Sequence, residues 1–344
     1  MSAPLTVLGA LALLPRGTPT TLSTLAARGR AAAESAGLFW TLVAISAVVA
    51  AVVFGLLYLA LVRNAGKGDL TTASGAEAVR AQHDHPTELK GVLVLGLAVP
   101  ALILAAVFVW STVQTSAQAQ PFAVNDPDAG ARADVLVIGH QWWWEVRYPA
   151  SGVVSANELH VPVGARVRVA LRTDDVNHSF WVPQLAGKTD LVAGQTNSIW
   201  IEADTAGTYY GECGEFCGMQ HAHMGLAVVA ESPAGYARWV AEQRGTAAAP
   251  PDSLARAGYA TFAALGCAKC HAVRGTPYGG QAGPDLTHLA SRVTLAAGTM
   301  PNTRGDLASW VADPQRAKPG NRMPLVPMTG PELQAVVAYL ESLH

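Results

Sequence analysis

The sequence predicts a multi-domain membrane protein: a two-helix transmembrane hairpin, then an all-β domain of sandwich or barrel type, then a helical domain. Three observations carry this. Two long apolar runs lie in the first third of the chain. Between residues 134 and 211 the apolar residues recur with the period of a strand, and beyond a Pro-rich stretch they recur with that of a helix. Charged residues make up only 14% of the 344, against roughly 25% in an average soluble protein. The formal net charge of −2 gives no reason to expect a nucleic-acid partner.

Residues 1–37 form an N-terminal segment. Its Leu5 to Leu14 stretch reads as a signal-peptide core, although no positive charge precedes it. The hairpin occupies 38–115, with spans at 38–62 and 91–115, each long enough for a bilayer core that takes about 20 residues. Pro100 falls inside the second span, where membrane helices tolerate it. Trp40 opens the first span and Trp110 closes the second, so a hairpin places both on one membrane face, as in an aromatic belt. The loop 63–90 is balanced, with four basic and four acidic residues.

Residues 116–243 make the β domain. Stretches 134–149, 159–172, 196–203 and 207–211 are rich in Val, Ile, Trp and Tyr, and Val163, Ala165, Val167, Val169 and Leu171 alternate with other residues. Residues 244–253 are small and Pro-rich and read as a linker. In 254–344, Ser253 is expected to cap a helix running to Leu265. Thr329 and Glu332 pair as a capping box, with Pro331 at the first helical position. Leu333, Val336, Val337, Leu340 and Leu343 form one apolar face.

The four cysteines fall in two close pairs, each inside a motif richer than a disulfide framework requires. The first motif is Cys213-Gly-Glu-Phe-Cys217-Gly-Met-Gln-His221-Ala-His-Met224. Thiolate, imidazole and thioether are the soft set that selects copper over hard cations, and two thiolates four residues apart can bridge two metals. A further imidazole is needed, and His178 supplies a candidate in His178-Ser-Phe-Trp. A lone histidine before an apolar run is more often a satisfied core residue; the downstream cluster reverses that preference.

Here a resemblance becomes specific. Residues 38–230 resemble subunit II of cytochrome c oxidase through Asp174-Asp-Val-Asn-His178-Ser-Phe-Trp, Gly187-Lys-Thr-Asp190, Tyr209-Tyr-Gly-Glu-Cys213 and the copper motif. The aromatic run Gly139-His-Gln-Trp142-Trp-Trp-Glu-Val-Arg-Tyr148 belongs to the same pattern. The resemblance implies a cupredoxin-like Greek-key β-barrel holding the binuclear copper site CuA. It implies that Cys213 and Cys217 bridge both coppers. His178 and Met224 would complete one copper, and His221 with the Glu215 carbonyl the other. The Glu215 carboxylate is implied at a magnesium on the subunit I boundary, and Trp142 as the residue where electrons enter. His223 falls off the pattern, and Trp143 and Trp144 are read as packing residues. The family's Leu-Glu pair before the second-span proline is not matched: Leu93 stands seven residues before Pro100 and Glu88 twelve, so the proton-uptake role of that Glu is not carried over.

The second motif, Cys267-Ala-Lys-Cys270-His271, is the c-type haem attachment pattern, with His271 as proximal ligand. Gly283-Pro-Asp-Leu286 and Asn321-Arg-Met323-Pro324 resemble later segments of small bacterial cytochromes c, which implies an all-α class I cytochrome c domain. Met323 is the expected distal ligand and Met328 the alternative; His288 is read as a surface or propionate-region residue.

The combined resemblance implies the subunit through which electrons enter a proton-pumping haem–copper oxidase. Its partners would be subunit I, with haem a-type and CuB centres, subunit III, and an external cytochrome or quinol–cytochrome c reductase as donor. The expected location is the bacterial plasma membrane, with the copper and cytochrome domains on the outer face. The alternative is a CuA-containing small subunit of a nitric oxide reductase. A copper chaperone would not need His178, Met224 and a tethered haem together. Finally, 116–243 holds 14 acidic against 7 basic residues and 254–344 holds 5 against 8, so the haem domain is expected to dock on the copper domain by charge.

Overall fold

The computed structural model describes residues 22–64, 90–91 and 93–344. The signal-like stretch Leu5–Leu14 and Glu88 lie outside the described residues. The chain divides into two compact units, residues 34–119 and the remainder.

The first unit is helical. Helix α1, Arg30–Asn64, starts eight residues before the first apolar span. The most apolar 18-residue window of Arg30–Arg63 has a mean hydropathy of 2.7 and that of Val94–Ser116 has 2.4; neither window is buried by protein, as lipid-facing helices should be. The second span begins in a π-helical turn, Val94–Ala98, and continues as helix α2, Val99–Ala117. Pro100 explains the wider turn. It has no N–H for the carbonyl four residues back, and its ring would crowd that carbonyl, so the preceding turn opens.

In the other unit, ten strands build two five-stranded sheets. They are β1 Val135–His140, β2 Trp143–Tyr148, β3 Val153–Ala156, β4 Glu158–Pro162, β5 Val167–Thr173, β6 His178–Trp181, β7 Thr189–Leu191, β8 Asn197–Ile201, β9 Gly207–Cys213 and β10 Gly225–Glu231. One sheet runs β3-β2-β1-β5-β8 and the other β4-β10-β9-β6-β7. The β1–β5 and β4–β10 pairs are parallel and the rest antiparallel. Val135, Val137, Trp144, Val169 and Leu171 of the first sheet share one core with Leu159, Phe180, Leu226 and Val228 of the second, which makes a sandwich. The alternation expected from Val163 holds only from Val167 onward, because 163–166 form the turn between β4 and β5. Helix α3, Pro233–Gln243, capped by the Ser232 side chain, closes the domain. Its Trp239 stacks on His160 at 3.9 Å between ring centroids.

The C-terminal helices are α4 Ser253–Ala264, α5 Arg304–Ala312 and α6 Gly330–Glu341. The cap of α4 is Asp252 rather than Ser253: its carboxylate accepts from Ala255 N. The capping box on α6 forms, with Gly330 ahead of Pro331 in the helix. Val336, Val337, Leu340 and Leu343 are buried, together with Tyr339. Helices α4 and α6 cross at Gly258, where a Cβ would stand 1.9 Å from the Ala335 carbonyl oxygen, so no larger residue permits this approach. The linker 244–253 is tied down: Ala247 N donates to Arg274 O, and the Gly245 carbonyl lies 3.2 Å from His288 Nε2. His288 itself is buried, its Nδ1 on the His344 carbonyl oxygen, instead of lying at the surface.

Candidate metal centres

The copper motif occupies the end of β9 and the loop before β10. Antiparallel pairing sets Phe180 opposite Cys213, and His178 stands two residues earlier on the same face of β6. The donor atoms converge. Cys213 Sγ lies 3.7 Å from Cys217 Sγ, 3.8 Å from His178 Nδ1 and 3.2 Å from the Glu215 carbonyl oxygen. Cys217 Sγ lies 3.7 Å from His221 Nδ1 and 3.8 Å from Met224 Sδ. The ligating atoms of His178, Cys213 and Cys217 all fall within 4.8 Å of one another.

The surrounding structure aims these atoms. His178 Nε2 donates to Asp175 Oδ1 at 2.9 Å, which leaves the Nδ1 lone pair facing the sulfurs. Burial works to raise the Asp175 carboxyl, but hydrogen bonds from His178, Gln141 N and Val176 N outweigh it and bring it to about 2. The hydrogen bond between the two thiols draws Cys213 down and, with burial, pushes Cys217 up. Gly139 leaves the space the imidazole fills: a Cβ there would sit 2.7 Å from His178 Cδ2. Trp144, fully buried, packs edge-on to Phe180 and tilted against His178. Trp142 is buried too, and its indole N–H donates to the Cys217 carbonyl at 3.0 Å; Gln141 Nε2 donates to the same oxygen at 2.8 Å. The sequence motifs do not single out Asp175 or Gln141 as functional residues. The spacing of Asp175 three residues before His178 is the one local signal for it, while Gln141 reaches the Cys217 carbonyl only through the fold.

Three residues of the sequence motifs stand apart from this cluster. The Glu215 side chain is exposed, with only its carbonyl turned to the sulfurs. His223 is exposed and its Nδ1 bonds Gln220 Oε1. Trp143 stacks on His140.

The second centre follows α4. His271 Nδ1 lies 2.8 Å from the Pro284 carbonyl, so Nδ1 carries the proton and Nε2 is left with its lone pair free. Burial holds this imidazole below its ordinary pKa and therefore neutral. Cys267 and Cys270 are free thiols, both partly exposed, separated by a single 3-10 turn. Met323 is half-buried, its N–H on Asn321 Oδ1 and its carbonyl on Gln315. Met328 instead packs against the domain's apolar core.

Residues 152–231 match the family of the periplasmic domain of cytochrome c oxidase subunit II, and residues 255–344 match the cytochrome c family. Cytochrome c oxidase subunit 2 of Alkalihalophilus pseudofirmus is 40% identical over 226 residues, 64% of this chain and 65% of that protein. The same subunit of Bacillus sp. strain PS3 is 31% identical over 258 residues, 71% of this chain and 72% of its own length. The chain belongs to the cytochrome c oxidase subunit 2 family. It spans about two thirds of the length of these relatives. The crystal structure of the periplasmic domain of cytochrome oxidase subunit II from Bradyrhizobium japonicum is 30% identical, with a TM-score of 0.32, covering 33% of this chain and 95% of that one.

Copper and haem c suit the residues of this subunit 2 chain. At the first centre two thiols, two imidazoles, a thioether and a carbonyl meet with His178 and Met224 fully buried, a soft set closed to solvent on that side. At the second, paired free thiols precede a neutral imidazole with one nitrogen free. The two apolar helices mark a membrane protein.

Proposed function

We propose that this chain is the subunit through which electrons enter a proton-pumping haem–copper oxidase. The route would run from an external donor to haem c, then to a binuclear CuA site, then to the dioxygen-reducing centre of subunit I. The observation that carries the reading is the convergence of two imidazoles, a thioether and a carbonyl on two cysteine sulfurs 3.7 Å apart. The roles follow the family: Cys213 and Cys217 bridge, His178 with Met224 and His221 with the Glu215 carbonyl complete the two coppers, and Trp142 admits electrons. Cys267 and Cys270 attach haem c, with His271 and Met323 as axial ligands. When loaded, these groups supply one-electron redox chemistry at fixed geometry.

The chain's own residues limit rearrangement. Asp175 fixes the His178 ring, Pro284 fixes the His271 ring, and Trp142 and Gln141 hold the Cys217 carbonyl. A site whose donors barely move between redox states needs little reorganisation energy per electron. The exposed Glu215 carboxylate is free to hold magnesium at the boundary with subunit I. The copper and cytochrome domains lie on the outer face of the plasma membrane, beside subunits I and III.

The test is a reduced-minus-oxidised spectrum of the purified complex. Bands of haem c together with haem a support the oxidase. Haem b without haem a would favour the small subunit of a nitric oxide reductase instead.

A further inference from the structure

The segment just before Met323 lies on the copper loop. Lys318 is 3% exposed. Its ammonium donates to the carbonyls of Trp142, at 2.9 Å, and Ala296, at 3.1 Å. Gln220 Nε2 donates to the Pro319 carbonyl at 2.7 Å. Gly320 meets Met219 so closely that a Cβ there would stand 2.5 Å from the Met219 sulfur. Arg322 reaches furthest: its guanidinium donates to Gln141 Oε1 at 2.7 Å and lies 3.5 Å from Asp175 Oδ2. Both partners touch the copper donors, since Gln141 holds the Cys217 carbonyl and Asp175 holds the His178 ring. A second strip, at 293–299, closes the same face: Gly225 N donates to Ala297 O at 2.8 Å, and Val293 N to Glu158 Oε2 at 2.8 Å.

We propose that Lys318 and Arg322 are positioning residues that hold the cytochrome domain on the copper loop, so that Trp142 is closed to an external donor and faces only the chain's own haem domain. The inference rests on the reading of Trp142 as the residue where electrons enter. The burial of Lys318 supports it. A lysine nitrogen buried to this degree is costly unless it is hydrogen-bonded, and here two backbone carbonyls from two domains accept from it. Such a contact is a built one, unlike the exposed ion pairs of a transient encounter. Arg322 adds direction. It is the chain neighbour of Met323, and through Gln141 it links that neighbourhood to the Cys217 carbonyl by two hydrogen bonds.

The test uses the full chain in its assembled complex, as wild type, Lys318→Met, Arg322→Gln and the double variant. Two readouts need no electron transfer: amide hydrogen exchange at Gly225, which reports the Ala297 contact, and hydroxyl-radical oxidation of Trp142. We expect the double variant to speed Gly225 exchange by about tenfold or more and to raise Trp142 oxidation several-fold, as local opening gains population. Arg322→Gln alone, at a largely exposed side chain, should give a smaller change of about threefold in both. Unchanged exchange and oxidation in the double variant would overturn the proposal; should that variant not fold, an unchanged Arg322→Gln would do so. A wild-type complex without a binuclear copper signal would overturn the reading of Trp142, while the Gly225 exchange would still judge the docking by itself.

Discussion

The two centres of this chain are built in opposite ways. At the copper loop the donors already stand together: five side chains and one carbonyl converge, with His178, Cys213, Cys217 and Met224 buried and His178 oriented by Asp175 and Trp144. At the haem site the donors come from segments more than fifty residues apart, Cys267 to His271 and then Met323, and both thiols remain partly exposed. The difference follows from the chemistry of attachment. Copper is held by coordination alone, so the fold must supply the geometry before the metal arrives. Haem c is held by two covalent thioether bonds, so the fold need only present thiols and one neutral imidazole.

The largest effect expected from this contrast comes from Cys217→Ser. Removing one of the two sulfurs proposed to bridge should abolish the mixed-valence copper spectrum entirely and leave the haem c bands intact. A seven-line copper EPR signal in that variant would refute the bridging assignment. Met323→Ala should act in the reverse sense: haem stays attached through Cys267 and Cys270, while its methionine-to-iron charge-transfer band disappears. Its potential should fall, by on the order of a tenth of a volt or more given the range axial ligands control. If instead Met328→Ala removes that band, the distal ligand is Met328.

Much of this contrast is legible in the chain, and the reason is distance along it. Cys213 to Met224 is one contiguous loop, and Cys267 to His271 one turn, so most of each donor set lies in one short motif, while the roles of its members come from the family resemblance. His178 needs only the antiparallel pairing of β6 with β9. What stays hidden depends on tertiary contact. Gln141 reaches the Cys217 carbonyl only once the β domain has folded, and Lys318 and Arg322 are ordinary polar residues until the cytochrome domain meets the copper loop. The short strands β3, β6 and β7 escape a reading by periodicity because three or four residues carry too little of it. Charge counts predict docking by opposite fields. The contact found relies instead on Lys318 against carbonyl oxygens, with one ion pair, Arg322 to Asp175 at 3.5 Å, among the described residues of this strip.

Smaller effects sharpen the comparison. The Asp175 carboxyl is held near 2, below its ordinary 3.8. A depressed carboxylate stabilises the fold above its unfolded pKa, and that contribution is lost as pH falls through the folded value. Asp175 should therefore contribute on the order of 2 kcal/mol above about pH 4, disappearing toward pH 2. Denaturant titration of the metal-free protein should show Asp175→Asn less stable at pH 6 and level with wild type near pH 2. An equal gap at both values would rule out this linkage. Salt should matter least. Raising ionic strength from 0.1 to 1 M shortens the Debye length from about 10 Å to about 3 Å, yet a buried ammonium on carbonyl oxygens is poorly screened. Transfer from haem c to copper, followed by flash photolysis, should slow only modestly, and less than transfer from a free cytochrome. A slowing as steep as the free donor's would return the docking to surface charge.

The most direct measurement is metal stoichiometry together with copper EPR on the oxidised, purified complex. Three coppers and one haem c per complex are expected, two of the coppers in this subunit and one in subunit I, with a seven-line hyperfine pattern from one electron shared across the pair. One copper per chain with a four-line pattern would contradict this, whatever the sequence resembles.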